Sequence, residues 1–219
     1  MICRLCRSPI VAVALGLLLV SRAGATESSS LPGGEVSLLV VVVVDQLRAD
    51  MPGELMDRFG PGGFRRFYQQ GLVYPAAVMR FAPTSTGPGH ATLVTGALPA
   101  VHGIVGNQWW DVARETAVNC VADPGHRIVG QSASGARGVS PRYLMAETFA
   151  DVIHQASGGS SRTVALSMKD RSAVLPAGNS GQAVWYSKWT GQFVTSDYYN
   201  SSLPEWVRDF NARRMGQLG

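Results

Sequence analysis

Cysteine is scarce in this chain of 219 residues. Two of the three cysteines, Cys3 and Cys6, have the spacing of a metal or redox pair, but they lie in a segment that we expect to be removed. Cys120 is then the single thiol of the mature chain. An unpaired thiol is unusual in an oxidising compartment, and a partner outside this chain is one explanation for it.

The apolar run nearest the amino terminus is too short to cross a membrane. It extends from Ile10 to Val20, follows two arginines and precedes the small residues Ala23-Gly24-Ala25. This order is typical of a transport signal, so residues 1–25 are predicted to be a signal peptide and residues 26–219 the mature chain. No cysteine follows the apolar core, so a lipoprotein signal is excluded. We expect a secreted or periplasmic protein without a stable membrane anchor.

The formal net charge of the mature chain is also small. The whole sequence carries a formal charge of +4, but its first 25 residues contain three arginines and no acidic residue, which leaves +1. No basic stripe of the kind that binds nucleic acid is present, so we expect no nucleic-acid partner. The remaining length is sufficient for one sizeable hydrophobic core.

An aliphatic run, broken only by Ser37, extends from Val36 to Val44 and is followed directly by Asp45. The run has no polar alternation, which predicts a central parallel strand covered on both faces. Asp45 would then lie at the carboxyl end of that strand, where open α/β sheets bind their ligands. The alternative is an ordinary cap or turn aspartate.

The rest of the pattern combines helices with short strands and predicts an α/β fold. The predicted elements are two short helices within 52–70 with a break at 60–63, a strand at 72–79, a loop-rich region at 108–138, one helix from Ser140 to Gly158, a short buried strand at 163–167, a hairpin at 183–196 and a helix at 205–214.

Thr86 is placed at the start of a short helix. Pro88 suits a first helical turn, and Gly96 suits the left-handed residue that ends a helix. A hydroxyl at this position faces free backbone N–H groups and the positive end of the helix dipole, which favours an alkoxide or a bound phosphate. Thr86 is therefore a candidate nucleophile, and the alternative is a simple helix cap.

Three further polar residues follow in the same region. Asn107 comes after Gly106 in a loop that can approach an anion, although a turn asparagine is the alternative. His90 and His102 could each bind a metal, but we interpret both as structural residues of the turns.

Lys169 and Arg171 form a candidate phosphate clamp. They are two residues apart just after a predicted strand, so in an extended segment both side chains project from the same side. Arginine can bind two phosphate oxygens at once, and lysine acts as a point charge. A surface charge pair bridged by Asp170 is the alternative.

Four motifs in this order resemble the PafA-type secreted alkaline phosphatases of the type I phosphodiesterase/nucleotide pyrophosphatase superfamily. They are Val-Val-Asp-Gln-Leu-Arg at 43–48, Thr-Ser-Thr-Gly-Pro-Gly-His at 84–90, His-Gly-Ile-Val-Gly-Asn at 102–107 and Ser-Met-Lys-Asp-Arg at 167–171. The resemblance begins near Leu38 and continues to the end of the chain. It implies an alkaline-phosphatase-like three-layer sandwich with a mostly parallel central sheet.

The resemblance also assigns roles to the candidate residues. It implies hydrolysis of small-molecule phosphate monoesters with two zinc ions and a phosphothreonine intermediate. Thr86 would be the nucleophile, and Asp45 and Thr86 would bind one zinc ion. The phosphate would be bound by Asn107, Lys169 and Arg171. The lysine–arginine pair favours a monoesterase, because diesterases of the superfamily lack it.

The sequence contains fewer candidate metal-binding residues than the two zinc ions of this family require. After Lys169 it contains no histidine and only four acidic residues, whereas two zinc ions need about three protein ligands each. We therefore expect residues 26–219 to be the amino-terminal portion of the catalytic domain, with the remaining ligands in a missing carboxyl-terminal half. The alternatives are a phosphodiesterase or nucleotide pyrophosphatase of the superfamily and an inactive phosphate-binding fragment.

Overall fold

The computed structural model describes residues 36–131 and 137–215. The predicted signal peptide at 1–25 lies outside the described residues. The chain divides into two compact units, Met1–Val44 and Asp45–Gly219. All five candidate site residues belong to the second unit.

The predicted central strand at 36–44 is wrong. These residues form no strand, and the exposed fraction of their large apolar side chains runs from 40% at Val43 to 77% at Leu38. The predicted strand at 72–79 is wrong as well, and Leu72 and Val78 are exposed. An aliphatic run has the residue preferences of a buried strand, but it does not itself supply the neighbouring strands that such a strand requires.

Seven α-helices lie in the described residues, none of them long and apolar enough to cross a bilayer. They are α1 Met51–Glu54, α2 Gly63–Gln70, α3 Thr86–Thr95, α4 Pro99–His102, α5 Phe149–Ala156, α6 Asp170–Ala177 and α7 Glu205–Met215, with a 3₁₀ turn at Met56–Arg58. The predicted pair of helices before Gly71, the helix that Gly96 ends and the last helix are confirmed. Gly96 has the left-handed conformation, with φ 67°.

The described residues contain a hairpin and a four-stranded mixed sheet. The hairpin pairs β1 Gln108–Asp111 with β2 Thr116–Asn119, within the region predicted to be loop-rich. The sheet has the order β3-β6-β5-β4, and its strands are β3 Ile128–Val129, β4 Val164–Ser167, β5 Gln182–Ser187 and β6 Gln192–Ser196.

The α/β class and the predicted hairpin, now β5–β6, are confirmed. The expected mostly parallel sheet is wrong for the described residues, because only β4 and β5 pair in parallel there. The short strand β4 is also less buried than predicted: Val164 is 50% exposed and Leu166 is 58% exposed.

Helix α6 forms the centre of the core. It packs against α3 and against β4 and β5. Its Ala173, Val174 and Leu175 are completely buried, as are Ala183 and Val184 of β5. Burying apolar surface contributes about 25 cal/mol per Å², so this packing fixes the beginning of α6 relative to α3.

The single helix predicted from Ser140 is shorter than expected and begins at Phe149. Thr148 caps it: the Thr148 hydroxyl accepts from the Asp151 N–H at 3.2 Å, and the Asp151 carboxylate accepts from the Thr148 N–H at 3.0 Å. Ser140 is buried and donates its hydroxyl to Asp123 instead. Its hydroxyl is therefore committed to a distant carboxylate and is not a helix cap.

Asp151 connects two turns of the core. It also accepts from the Thr148 hydroxyl and from the N–H groups of Asn179 and Ser180, at 2.8–2.9 Å. Burial is the largest influence and raises the pKa of Asp151, but the hydrogen bonds from Thr148 and Ser180 outweigh it, so its net pKa is lowered. Gly178 has φ 60° there, and a Cβ would collide with Thr148 and Asp151.

Replacing Asp151 by alanine is expected to lower the free energy of unfolding by about 3 kcal/mol at neutral pH, because several buried donors lose their acceptor. Asp151→Asn keeps one acceptor oxygen and is expected to cost less. A lowered folded pKa adds stability above the unfolded value of about 3.9, and this contribution is lost as pH falls through the folded pKa. Urea unfolding should therefore show the gap between the parent chain and Asp151→Asn closing below about pH 4. An unchanged gap at pH 3 would contradict this.

Candidate functional site

The Thr86 side chain does not cap its helix. Thr86 is the first residue of α3, and its hydroxyl donates to Asp45 Oδ2 at 3.1 Å. Ser85 occupies the cap position and makes no capping hydrogen bond with its side chain. The hydroxyl of Thr86 is therefore directed to a carboxylate 41 residues earlier in the chain.

Lys169 reaches the same carboxylate oxygen. Its Nζ lies 2.9 Å from Asp45 Oδ2, and both side chains are partly exposed. The hydrogen bond from Lys169 is the main reason that the pKa of Asp45 is lowered; burial opposes this, and the hydrogen bond from Thr86 adds to it. One oxygen atom thus joins three separate segments of the chain.

Asn107 is held at the beginning of α3. Its Oδ1 accepts from the Gly87 N–H at 2.6 Å. A backbone N–H can only donate, so the oxygen is the amide atom that faces Gly87. The NH₂ group of Asn107 is therefore left as a donor beside Thr86.

Gly87 permits this close approach. A Cβ at Gly87 would lie 3.1 Å from Cys120 Sγ and 3.2 Å from Asn107 Oδ1, closer than a side-chain carbon normally comes. Cys120 is a completely buried free thiol, and burial raises its pKa to about 12. Among the described residues, Cys120 is accordingly a packing residue next to Gly87.

Arg171 comes two residues after Lys169, but the prediction that both lie in one extended segment is wrong. The segment is not extended throughout: Lys169 has φ −128° and ψ 143°, and Arg171 already belongs to α6. Both residues nevertheless line the same cavity. Arg171 Nη1 lies 3.6 Å from Asp170, while its buried Nε has no hydrogen-bond partner among the described residues.

The two histidines have structural contacts, as predicted. His102 is completely buried; its Nδ1 accepts from the Ile104 N–H at 3.1 Å, so Nε2 carries the proton and donates to the Thr92 hydroxyl at 3.0 Å. Burial lowers the pKa of His102. His90 Nδ1 donates to the Thr86 carbonyl at 2.8 Å.

The oxygen atoms of Asp45 and Thr86 are suitable ligands for zinc, but they are only two. Tetrahedral zinc sites use four ligands, of which three or four come from the protein. In residues 36–131 and 137–215 no group of three or more His, Cys, Asp or Glu side chains could hold a metal ion. The described residues therefore fit part of a zinc site and do not complete one.

Hydrogen bonds connect four of the five predicted residues, and the fifth, Arg171, is near them in the chain through Lys169. Asp45, Thr86 and Lys169 share hydrogen bonds, Asn107 joins them through the residue after Thr86, and Arg171 lies at the start of the helix that Lys169 precedes. Sequence reasoning did not identify Gly87 and Cys120 as the contacts that support Asn107. The Gly-Pro-Gly triplet at 87–89 was a signal of close backbone approach.

The chain is similar to proteins of one known family. Residues 39–216 match the model of the family described as type I phosphodiesterase / nucleotide pyrophosphatase. The chain is 37% identical over 203 residues to alkaline phosphatase PafA of Elizabethkingia meningoseptica, an alignment that covers 92% of this chain and 37% of that protein.

Two crystal structures of alkaline phosphatase PafA superimpose on the chain with a TM-score of 0.75. The wild type is 38% identical, and the alignment covers 78% of this chain and 33% of that one. The second structure, 36% identical with the same coverage, is a variant in which one threonine is replaced by serine and one asparagine, one lysine and one arginine by alanine.

The chain spans about a third of the length of the relatives it matches. The matched family model nevertheless covers most of its residues, including every candidate site residue. On this ground the chain is a PafA-like member of the type I phosphodiesterase/nucleotide pyrophosphatase family, corresponding to the amino-terminal part of its alkaline phosphatase relatives.

Proposed function

We propose that this chain supplies the nucleophile and the phosphate clamp of a secreted or periplasmic, zinc-dependent phosphomonoesterase. The substrates are small-molecule phosphate monoesters, and the reaction passes through a phosphothreonine at Thr86. The remaining metal ligands belong to a part of the protein outside this chain.

The observation that carries the proposal is the shared oxygen of Asp45. Thr86 and Lys169 both donate to it, from segments 41 and 124 residues away. The threonine hydroxyl is thereby held beside a carboxylate, at the amino end of a helix and next to a cation. This environment favours an alkoxide and a phosphoryl group. A threonine that only caps a helix would need neither the carboxylate nor the cation.

Each step of the proposed reaction conserves atoms and charge. The Thr86 oxygen loses its proton to solvent and attacks phosphorus, while the bond from phosphorus to the ester oxygen breaks and the departing alkoxide takes a proton from water. A water oxygen then attacks the phosphothreonine in line, so that inorganic phosphate leaves and the Thr86 hydroxyl is restored.

Asn107, Lys169 and Arg171 would bind the non-bridging oxygens, with the Asn107 amide fixed by Gly87 so that its NH₂ group is the free donor. Zinc bound by Asp45 and Thr86 would stabilise the threonine alkoxide. A second zinc ion would need ligands that the described residues do not offer.

The variant crystal structure of the relative supports this assignment. Its substituted threonine, asparagine, lysine and arginine are separated by 21, 62 and 2 residues, the same intervals that separate Thr86, Asn107, Lys169 and Arg171. The same four residue types thus recur at the same spacing in this chain.

Binding without turnover is the second candidate function for the isolated chain. The incomplete set of metal ligands in the described residues favours it. The clamp residues all belong to this chain, so the chain is expected to bind inorganic phosphate in the presence of a chelator.

Asn107 provides the test of the clamp. In calorimetric titration of the purified chain with inorganic phosphate, Asn107→Ala should weaken binding by about tenfold, the value of one hydrogen bond to a charged group. Asn107→Asp keeps the acceptor for the Gly87 N–H but replaces the donor by a negative charge, so it should weaken binding further.

Asn179→Ala is the matched control. Asn179 is exposed and follows the carboxyl end of α6, whereas Arg171 lies at the amino end of the same helix. Its replacement should leave phosphate affinity unchanged. No binding by the parent chain, or equal affinity in the parent chain and Asn107→Asp, would overturn the clamp.

A further inference from the structure

A cavity of about 360 Å³ opens beside the clamp. Lys169 and Arg171 line one side of it, and β5 and the turn after it line another. It therefore lies at the edge of the sheet where the parallel strands β4 and β5 end, a position at which α/β sheets bind ligands. We call it the cation-lined cavity, because four of its lining residues are Arg137, Lys169, Arg171 and Lys188.

Two of these cations have no partner in the part of the chain that the structure describes. Lys169 is paired with Asp45 at 2.9 Å, and Arg171 lies 3.6 Å from Asp170. Arg137 and Lys188 make no ion pair or hydrogen bond with any of the described residues. The five residues 132–136, which precede Arg137, include no acidic side chain that could pair with it.

The charged side chains that line the cavity are therefore mostly positive. Among its lining residues, Asp170 is the single carboxylate against four cations. The whole sequence contains only two lysines, Lys169 and Lys188, and both line this cavity. A concave surface with excess positive charge attracts anions, and concavity strengthens that attraction relative to a flat surface.

The two pairs of cations differ in what they can bind. Lys169 and Arg171 belong to the clamp for the transferred phosphoryl group. Arg137 follows β3 by eight residues and Lys188 directly follows β5, so these two cations come from segments other than the one that carries Lys169 and Arg171. A phosphate held by Lys169 and Arg171 would have this cavity beside it, where Arg137, Lys188 and the 88% exposed Trp189 also line the wall.

We propose that Arg137 and Lys188 form a second anion subsite, which selects phosphate monoesters whose leaving group carries a further phosphate or carboxylate. The inference rests on the proposed function, because it takes the clamp as the position of the first phosphate. Arg137 and Lys188 are specificity-determining residues and take no part in the reaction at phosphorus.

The test compares two probes on the purified chain in the presence of a chelator. Fructose 1,6-bisphosphate and fructose 6-phosphate share a sugar, and they differ in the second phosphate. The bisphosphate can present either of its two phosphates to the clamp, so this statistical factor alone should make it bind about twofold more tightly than the monophosphate. A subsite with two cations should raise the preference for the bisphosphate to about tenfold or more, which corresponds to one or more charge-assisted hydrogen bonds.

Arg137→Ala and Lys188→Ala should each reduce that preference towards twofold without changing the affinity for fructose 6-phosphate. Arg162→Ala is the matched control: it removes the same charge from an exposed arginine that precedes β4, at the opposite end of the parallel strands. It should leave the preference intact, so a general effect of net charge is separated from a local subsite.

The outcomes distinguish this inference from the proposed function. Binding of both probes with a preference of twofold or less overturns the subsite and leaves the clamp. Bisphosphate binding that depends on Lys188 but not on Asn107 supports an anion site at Lys188 and overturns the clamp. Absence of binding by either probe overturns both.

Discussion

Replacing Thr86 by alanine is expected to abolish phosphatase turnover in a completed protein. In that protein, residues 26–219 replace the matching third of the Elizabethkingia meningoseptica relative, whose remaining sequence follows. The expected loss in kcat is at least about 10³-fold, because removal of a covalent nucleophile leaves only the contributions of binding and charge stabilisation.

The physical reason lies in the contacts of the hydroxyl. Thr86 donates to Asp45 and not to its own helix, so its removal takes away a reacting atom and costs only about 1 kcal/mol of folding stability through the lost hydrogen bond. Thermal unfolding should therefore show a folded variant, and the loss of activity cannot be attributed to unfolding.

Thr86→Ser is the matched variant, since it retains a hydroxyl in the same place. It should keep turnover within about tenfold of the parent, because the nucleophile and its contact with Asp45 remain. Acid quenching during turnover should trap phosphate covalently on the parent and on Thr86→Ser, and not on Thr86→Ala. Turnover by Thr86→Ala above a tenth of the parent rate would contradict the nucleophile assignment.

The elements that sequence reasoning predicted correctly are those with local signals. Gly96 ends α3 in the left-handed conformation, and the hairpin β5–β6 turns at Gly191, which also has a positive φ of 68°. These glycines fix the backbone at one position, and no distant residue needs to be known. An aliphatic run such as 36–44 gives no comparable information, because its pairing depends on residues elsewhere.

Ser140 shows a different kind of limit. Serine before proline is a common helix start, but the carboxylate of Asp123, 17 residues earlier, accepts the Ser140 hydroxyl. The cap at Thr148 was recognisable from the acidic residue three positions later, Asp151. Local spacing identified a possible cap in both cases, and only tertiary contacts decided between them.

The sequence predicted which residues belong to the candidate site, but it did not predict the backbone conformation that positions them. Lys169 and Arg171 were expected to share a face of an extended segment, whereas a helix begins between them. They are two residues apart in the chain, and both line one cavity. Lys188 gave no sequence signal at all, since a lysine next to a hairpin turn is ordinarily a solvated residue.

Arg171 is expected to separate monoesters from diesters in the completed protein. Its buried Nε has no hydrogen-bond partner among the described residues, and Asp170 lies 3.6 Å from its Nη1. An unsatisfied buried donor is rare in folded proteins, and under the proposed function a phosphate oxygen would supply the acceptor that Arg171 lacks. A monoester dianion offers one more charged oxygen than a diester does.

Arg171→Ala should therefore lower kcat/KM for p-nitrophenyl phosphate by about 10²- to 10³-fold, since two charge-assisted hydrogen bonds contribute about 3–4 kcal/mol. The loss for bis-p-nitrophenyl phosphate should be below about tenfold, because that substrate lacks the extra oxygen. Arg171→Lys keeps a positive charge but cannot bind two oxygens in one plane, so its monoester activity should fall between the parent and Arg171→Ala. Equal losses on both substrates would favour a phosphodiesterase and contradict the monoesterase assignment, because Arg171 would then contribute only general charge to either reaction.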